Sequence, residues 1–254
     1  MRLVPVPKIR RLAVLGSVIA FGVSALVTPS AAQAATASYR LSYNTLPDGK
    51  KHVVRWNPCQ VITYKVNVAA VPAARRSAFL AETHTALRVV SARTGLRFGY
   101  RGTTGEVPTR SNAARQSAEV VIAYTTPSRT DLSLAGSTLG MGGYRSQWWG
   151  TWNGTRYVYG GAITRGYLVI DTPDVLRQLR PGFGAGLRRG NVVLHELGHV
   201  FGLGHVADSR QQMYSALSVA SPNGYAGGDA SGLARIGRAA GCIPVPAEVV
   251  KDLR

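Results

Sequence analysis

HELGHVFGLGH, His195 to His205, holds three of the five histidines in a chain of 254 residues. Residues four apart share one face of an α-helix, so the imidazoles of His195 and His199 converge on a single point. Glu196 is rotated by about a hundred degrees from His195 around the helix axis, so it flanks that point without acting as a ligand. Gly202 is placed to take the left-handed conformation that ends a helix, turning the chain so that His205 reaches back to the same point. A catalytic zinc ion takes three protein ligands and keeps a fourth position for water. His195, His199 and His205 are therefore the expected metal ligands. Glu196 is the expected general base and acid, taking a proton from water that the metal has acidified and later giving one to a leaving amine. A structural zinc site would lack the open position, and histidines satisfied in a core have no reason for this spacing.

Outward from this stretch, RPGFGAG breaks the chain, so the motif helix is expected to begin near Leu187 or later and to stop at Gly202 and Gly204. Upstream, VITYKVNV (61–68) alternates like a strand. A helix opened by Pro72 and ended by Gly95 places Phe79, Leu80, Thr83, Leu87 and Val90 on one face. LRFGYR, AEVVIAY and GYLVIDT (166–172) read as further strands, giving an α/β arrangement before residue 175. Asn153-Gly154 marks a hairpin turn flanked by aromatic residues from Trp148 to Trp152 and beyond. The expectation is that this hairpin packs its aromatics on the sheet, the alternative being a platform for substrate or sugar. Downstream, Asp229 is a good N-cap for a helix that carries Leu233 and Ile236 and ends at Gly241.

Residues 1–34 read as a secretory signal peptide: a basic start, an apolar run from Leu12 to Val27, and small residues that allow cleavage after Ala34 or after Ala37. Four basic residues and no acidic ones fall in this segment, so the remainder carries +14 of the chain's net charge of +18. Such a charge favours anionic partners such as acidic wall polymers. Since no dense basic block occurs, arginine is read mainly as a solubilising surface residue, and no specific nucleic-acid partner is expected. The two cysteines, Cys59 and Cys242, are most simply a disulfide in an oxidising compartment; the alternative is a Cys59 thiolate capping a metal. Closing so long a loop removes on the order of 4 to 5 kcal/mol of unfolded-chain entropy in the simple model.

HELGHVFGLGHVADSRQQMY resembles the metzincin clan of zinc endopeptidases, and within it the matrixin-like branch that includes secreted bacterial members. The matching residues are His195, Glu196, His199, Gly202 and His205, then Met213 and Tyr214. The resemblance implies a tight turn that puts Met213 beneath the metal, supporting the ligands without touching the ion. RWNPCQVITYKVN is similar to the entry strand of such relatives. GDASGLARIGRAAGC is similar to their closing helix, with Asp229 where the clan has an acidic residue.

The implied fold is an α+β zincin with a short lead-in (35–51) and one catalytic domain (52–254). Its upper lobe, about 52–202, holds a twisted mixed sheet, a backing helix and the active-site helix. Its lower lobe, about 203–254, is small and irregular and ends in a helix. An edge strand in or near STLGMGGYRS would pair with extended substrate. Three features depart from the family. No latency cysteine motif precedes the domain, and Cys59 lies inside it, which favours the Cys59–Cys242 disulfide. With only His52 and His84 to spare and few carboxylates, neither calcium nor a second, structural zinc is expected. The Pro-x-Tyr wall usual after the turn is absent.

The expected function is a secreted, monomeric, zinc-dependent endopeptidase that hydrolyses polypeptide in extended conformation and is extracellular or associated with the cell wall. The alternative is a non-catalytic, zinc-stabilised module that binds wall polymer or a protein partner.

Overall fold

The β-branched run from Val61 becomes an interior strand of a sheet, with both of its neighbours supplied by later segments of the chain. The structure, a computed structural model, describes residues 1–3 and 38–246. Most of the expected signal peptide, both of its cleavage positions and the C-terminal residues 247–254 lie outside the described residues. In chain order the strands are β1 (Arg2–Leu3), β2 (Arg40–Leu41), β3 (Tyr43–Thr45), β4 (Lys51–Val53), β5 (Val61–Asn67), β6 (Arg97–Thr103), β7 (Val120–Thr125), β8 (Gly140–Trp152), β9 (Tyr157–Asp171), β10 (Leu203–Gly204) and β11 (Ala216–Leu217). The helices are α1 (Arg76–Thr94), α2 (Thr172–Gln178), α3 (Arg189–Val200) and α4 (Gly227–Ile236). No helix among the described residues is long and apolar enough to cross a membrane.

The fold is mixed α+β. Its five-stranded sheet has the order β6-β5-β7-β9-β8, parallel throughout except for β8, which runs antiparallel to β9 and leaves one edge free. Every residue of β7 is buried, as expected of a parallel strand covered on both faces. One face packs against α1 and α3 through a core that includes Phe79, Val90, Ile122, Leu168, Leu197 and Val200. The other face is covered by Leu132 and Leu134 against Ala123 and Val169.

Helix α1 ends as its sequence requires, with Gly95 left-handed at φ +70° and its N–H donated to the Ser91 carbonyl. Helix α2 has no counterpart in the periodicity reading. It forms because Asp171 leaves the strand and caps it, accepting the Asp174 N–H, while Pro173 sits in the first turn. Helix α4 differs from its expected bounds at both ends. It starts two residues before Asp229, which lies in the first turn instead of at the N-cap. It stops at Ile236, and a separate 3-10 turn, Arg238–Ala240, carries the chain to Gly241.

The hairpin β8–β9 is much longer than the turn signal alone implied. It is closed by Gly154 at φ +94° and by the Asn153 side chain, which accepts the N–H groups of Thr155 and Arg156. Of the three tryptophans only Trp149 meets the expectation of packing inward, against Ala162 and Ile243, while Tyr144 packs part-buried against the main core. Trp148, Trp152 and Tyr157 are 51%, 56% and 58% exposed, because the far half of the ribbon projects beyond β7 and has no sheet to pack on.

Cys59 and Cys242 are disulfide-bonded, with Cα atoms 5.4 Å apart. The lead-in is tied to the rest of the domain by hydrogen bonds: β2 pairs with β10, β3 with β4, and Ser42 donates its N–H to the Gly202 carbonyl at 2.8 Å.

One buried ion pair anchors the start of the motif helix. Arg189 donates twice to Glu82 of α1, at 2.7 and 3.1 Å, while its guanidinium lies 4.2 Å from the centre of the Phe79 ring. Glu82 also accepts the Gly182 N–H at 2.8 Å. Removing one partner leaves the other charge buried and unpaired, which typically costs about 3 to 5 kcal/mol. Glu82→Ala is therefore expected to lower the unfolding free energy by about 3 kcal/mol in urea titration. A change below about 0.5 kcal/mol would show that α3 is not anchored through this pair.

Candidate metal centre

Helix α3 carries His195 and His199 one turn apart, and its end brings His205 to them. The Nε2 atoms of His195 and His199 are 3.2 Å apart, and that of His205 lies 3.1 and 3.0 Å from them. Nδ1 of His195 donates to the Gln212 carbonyl and Nδ1 of His199 to the Leu203 carbonyl, each at 2.8 Å. A carbonyl can only accept, so the proton of each ring sits on Nδ1 and the Nε2 lone pair faces the shared centre. Burial depresses the pKa of His195 to about 3 against the opposing pull of Glu196, and burial likewise brings that of His205 down to about 4.

Three unprotonated nitrogens this close repel one another unless a cation lies among them. Tetrahedral coordination at about 2.0 to 2.1 Å would separate such nitrogens by about 3.3 Å, close to what is observed. The residues thus fit a zinc ion. Among the described residues this is the one group of three or more His, Cys, Asp or Glu side chains gathered tightly enough to hold a metal. His52 and His84 lie elsewhere, against Asp48 and the Tyr64 hydroxyl respectively.

The geometry of the third histidine depends on Gly202. Its φ is +102°, its N–H donates to the His199 carbonyl at 3.1 Å, and a Cβ there would lie 2.6 Å from the Val54 carbonyl oxygen. Both the turn and the space therefore exclude a side chain. Beyond it, Leu203 and Gly204 pair with Leu41 and Arg40, so the short link from Gly202 to His205 is held as a strand.

Met213 and Tyr214 form the turn below the histidines, with the Tyr214 N–H donated to the Gln211 carbonyl at 3.2 Å. Met213 is buried with its sulfur against Gly198 of α3, where any side chain would overlap it. Sequence reasoning passed over what holds this turn. The fully buried Asp229 accepts the N–H groups of Gln212 at 2.6 Å and Met213 at 3.2 Å as well as that of Ala226 at 3.0 Å. Reciprocally, the Gln211 side chain accepts the Gly228 and Asp229 N–H groups at the start of α4. Burial raises the Asp229 pKa, and the three N–H donors oppose that rise. Two further ties join this region to α3: the Gln212 amide donates to the Asn191 carbonyl, and the Tyr225 hydroxyl donates to the Leu194 carbonyl, each at 2.6 Å.

Glu196 does not join the histidine cluster. It is 1% exposed, and its Oε2 accepts the Gly142 N–H at 2.6 Å. Its Oε1 faces the Met1 ammonium at 3.0 Å, which also donates to the Gly140 carbonyl. Burial alone would raise the Glu196 pKa, but in the uncleaved chain the Met1 ammonium, with the neighbouring His195 and His199, holds it at about 2; cleavage of the expected signal peptide would remove that ammonium. The cleft above has a volume of about 860 Å³, and its floor includes Glu196, His199 and His205. The free edge of β8, Gly140 to Tyr144, runs along one side, and Ser215 and Ala216 lie on the other. Met1–Leu3 occupy part of it, with β1 parallel to β11 and the Met1 carbonyl accepting the Leu139 N–H.

No protein-family model matches the chain, and no curated protein matches it.

Two substitutions that remove no ligand test this construction. Gly202→Val, which forces a β-branched residue into a left-handed turn and into Val54, is expected to weaken zinc affinity at least tenfold in competition with a chromophoric chelator. Asp229→Asn, which turns one acceptor of the Met213 turn into a donor, is expected to weaken it about tenfold, as loss of groups that orient ligands does. Unchanged affinity in either variant would show that the corresponding backbone turn does not position the histidines.

Proposed function

We propose that the chain is a zinc-dependent endopeptidase of metzincin type, acting outside the cell on extended polypeptide. The observation that carries this reading is the pairing of a three-histidine metal centre with a separate, buried carboxylate on the same helix, at the floor of a cleft bordered by an unpaired strand edge. A structural metal site needs neither the carboxylate nor the cleft. The disulfide between Cys59 and Cys242 accords with an oxidising compartment, and the departures from the matrixin-like pattern leave the three ligands, Glu196, Gly202 and Met213 untouched.

His195, His199 and His205 would hold the ion. When bound, zinc lowers the pKa of its water to about 7 and polarises a carbonyl oxygen beside it. Every other step falls to the chain's own groups. The free edge of β8 offers backbone N–H and C=O groups to an extended substrate, fixing the scissile peptide over Glu196 by strand addition. Glu196 accepts the proton of the attacking water as the C–O bond forms. It then delivers that proton to the nitrogen as the C–N bond breaks, giving an amine and a carboxylic acid, and the acid's proton passes to the amine so that an ammonium and a carboxylate leave. The Gly142 N–H holds Oε2 still, leaving Oε1 to carry the proton between the two positions. The amine that occupies this position in the structure is that of Met1, 3.0 Å from Oε1.

Glu196→Ala retains all three ligands and removes the proton carrier. Casein hydrolysis at matched zinc content is expected to fall by about 10²- to 10⁴-fold. A chelator should abolish the activity of the wild type, and added zinc should restore it. Equal activity in wild type and Glu196→Ala would overturn the catalytic assignment.

A further inference from the structure

Beside the metal centre the cleft opens into a second hollow of about 520 Å³, and Ser42, Tyr144 and Gly204 line both. Among the described residues the charged groups around this hollow are Arg40 and Lys51, and no carboxylate lines it. The aliphatic stem of Arg40 lies over Gly204, next to His205. Lys51 opens β4, and Ser42, Tyr43, Thr45 and Tyr144 complete the polar lining. Neither cation takes part in an ion pair among the described residues. The carboxylate nearest in sequence, Asp48, is engaged by the Lys50 N–H and by His52. Two unneutralised cations thus stand at one end of a cleft whose floor is the metal centre.

The direction in which a polypeptide would meet them is given by Met1–Leu3. The Met1 amine contacts the Gly140 carbonyl while its carbonyl accepts from Leu139, so this segment runs antiparallel to β8 and leaves the active centre past β11. A chain on the same path with its scissile nitrogen at the position of that amine continues upstream along Met141 to Tyr144, into the hollow. At about 3.3 Å per residue, Arg40 and Lys51 meet the residues roughly three to five positions before the cleaved bond.

We propose that this hollow is a substrate subsite that selects an acidic side chain at those positions, with Arg40 and Lys51 as its specificity-determining residues. The proposal rests on the endopeptidase reading. The class of ligand follows from the surroundings. The hollow continues a strand edge that pairs with polypeptide backbone, so the anion it takes is an Asp or Glu carboxylate on an extended peptide. The pair is exposed, so each contact has the modest strength of a surface ion pair and weakens with salt.

The test uses zinc-loaded protein and fluorogenic peptides that carry Asp, Asn or Lys in turn at each position before the cleaved bond. The wild type is expected to prefer Asp to Asn in kcat/KM by about five- to tenfold at the third to fifth position, and the ratio should shrink towards one in about 0.5 M salt. In the double variant Arg40→Gln, Lys51→Gln the Asp/Asn ratio should fall to about one, and in Arg40→Glu, Lys51→Glu the preference should pass to Lys. Cleavage without an acidic preference, or a preference that survives these variants, overturns the subsite and leaves the peptidase reading intact. Fluorescence anisotropy of labelled Asp and Asn peptides on Glu196→Ala supplies the second arm. If no peptide is ever cut, tighter binding of the Asp peptide that is lost with Arg40 and Lys51 upholds the subsite while the peptidase reading fails. Equal binding of the two peptides overturns it.

Discussion

The candidate site hangs on one buried clasp, the exchange of hydrogen bonds between the Gln211–Tyr214 turn and the first turn of α4. Asp229 has no exposure, and a carboxylate in that position is costly unless donors surround it. It receives them from the backbone of Gln212, Met213 and Ala226, while Gln211 returns the favour to Gly228 and Asp229. Each side satisfies polar groups that the other leaves bare, so neither can move alone. The carbonyl of Gln212, which receives the Nδ1–H of His195, is thereby fixed, and with it the direction of that ring's free lone pair. Met213 contributes through contact with Gly198, and a helix that had any other residue at 198 could not lie so close to the turn. Two of the three histidines are oriented by backbone carbonyls, and that of Gln212 lies in a turn held from both sides.

What the sequence showed and what it hid divide along the same line. Ligand spacing, the carboxylate beside it, the stop at Gly202 and the Asn153-Gly154 turn are carried by side-chain identity or by positive φ, and each was legible. The groups that orient the ligands are carbonyls of Gln212 and Leu203, and a backbone acceptor leaves no mark in a residue pattern. The residue pattern marks Asp229 as a helix-start residue, and the structure has it inside the first turn of α4. Two glycines before it let the helix begin at Gly227, and its carboxylate turned to the Met213 turn instead of serving as N-cap. Helix α2 was hidden because Asp171 ends a strand and caps a helix at once, leaving no gap between the periods. The lead-in reads as turn-rich, yet its pairing with β10 holds the link between Gly202 and His205. Long-range pairing of two-residue strands has no signature in a window of sequence.

β8 shows how one strand can serve two surroundings. Its first residues lie against α3, with Gly142 donating to Glu196. Its last residues leave the sheet with β9 and present Trp148 and Trp152 to solvent. The irregularity in register between Arg145 and Ser146 separates the two halves. The inner half is held by the helix that bears the histidines, and the outer half by Trp149 against Ile243, beside Cys242.

That cysteine gives the domain a topological property of its own. The bond from Cys59 to Cys242 spans 183 positions and encloses α1, the whole sheet, the three histidines and α4 within one covalent ring. A nick at an exposed loop such as the tip at Asn153-Gly154 would split an open chain into two fragments. In a ring, the first cut only opens the circle. The strands on either side of it stay tethered, and two cuts are needed before any segment between the two cysteines can be lost.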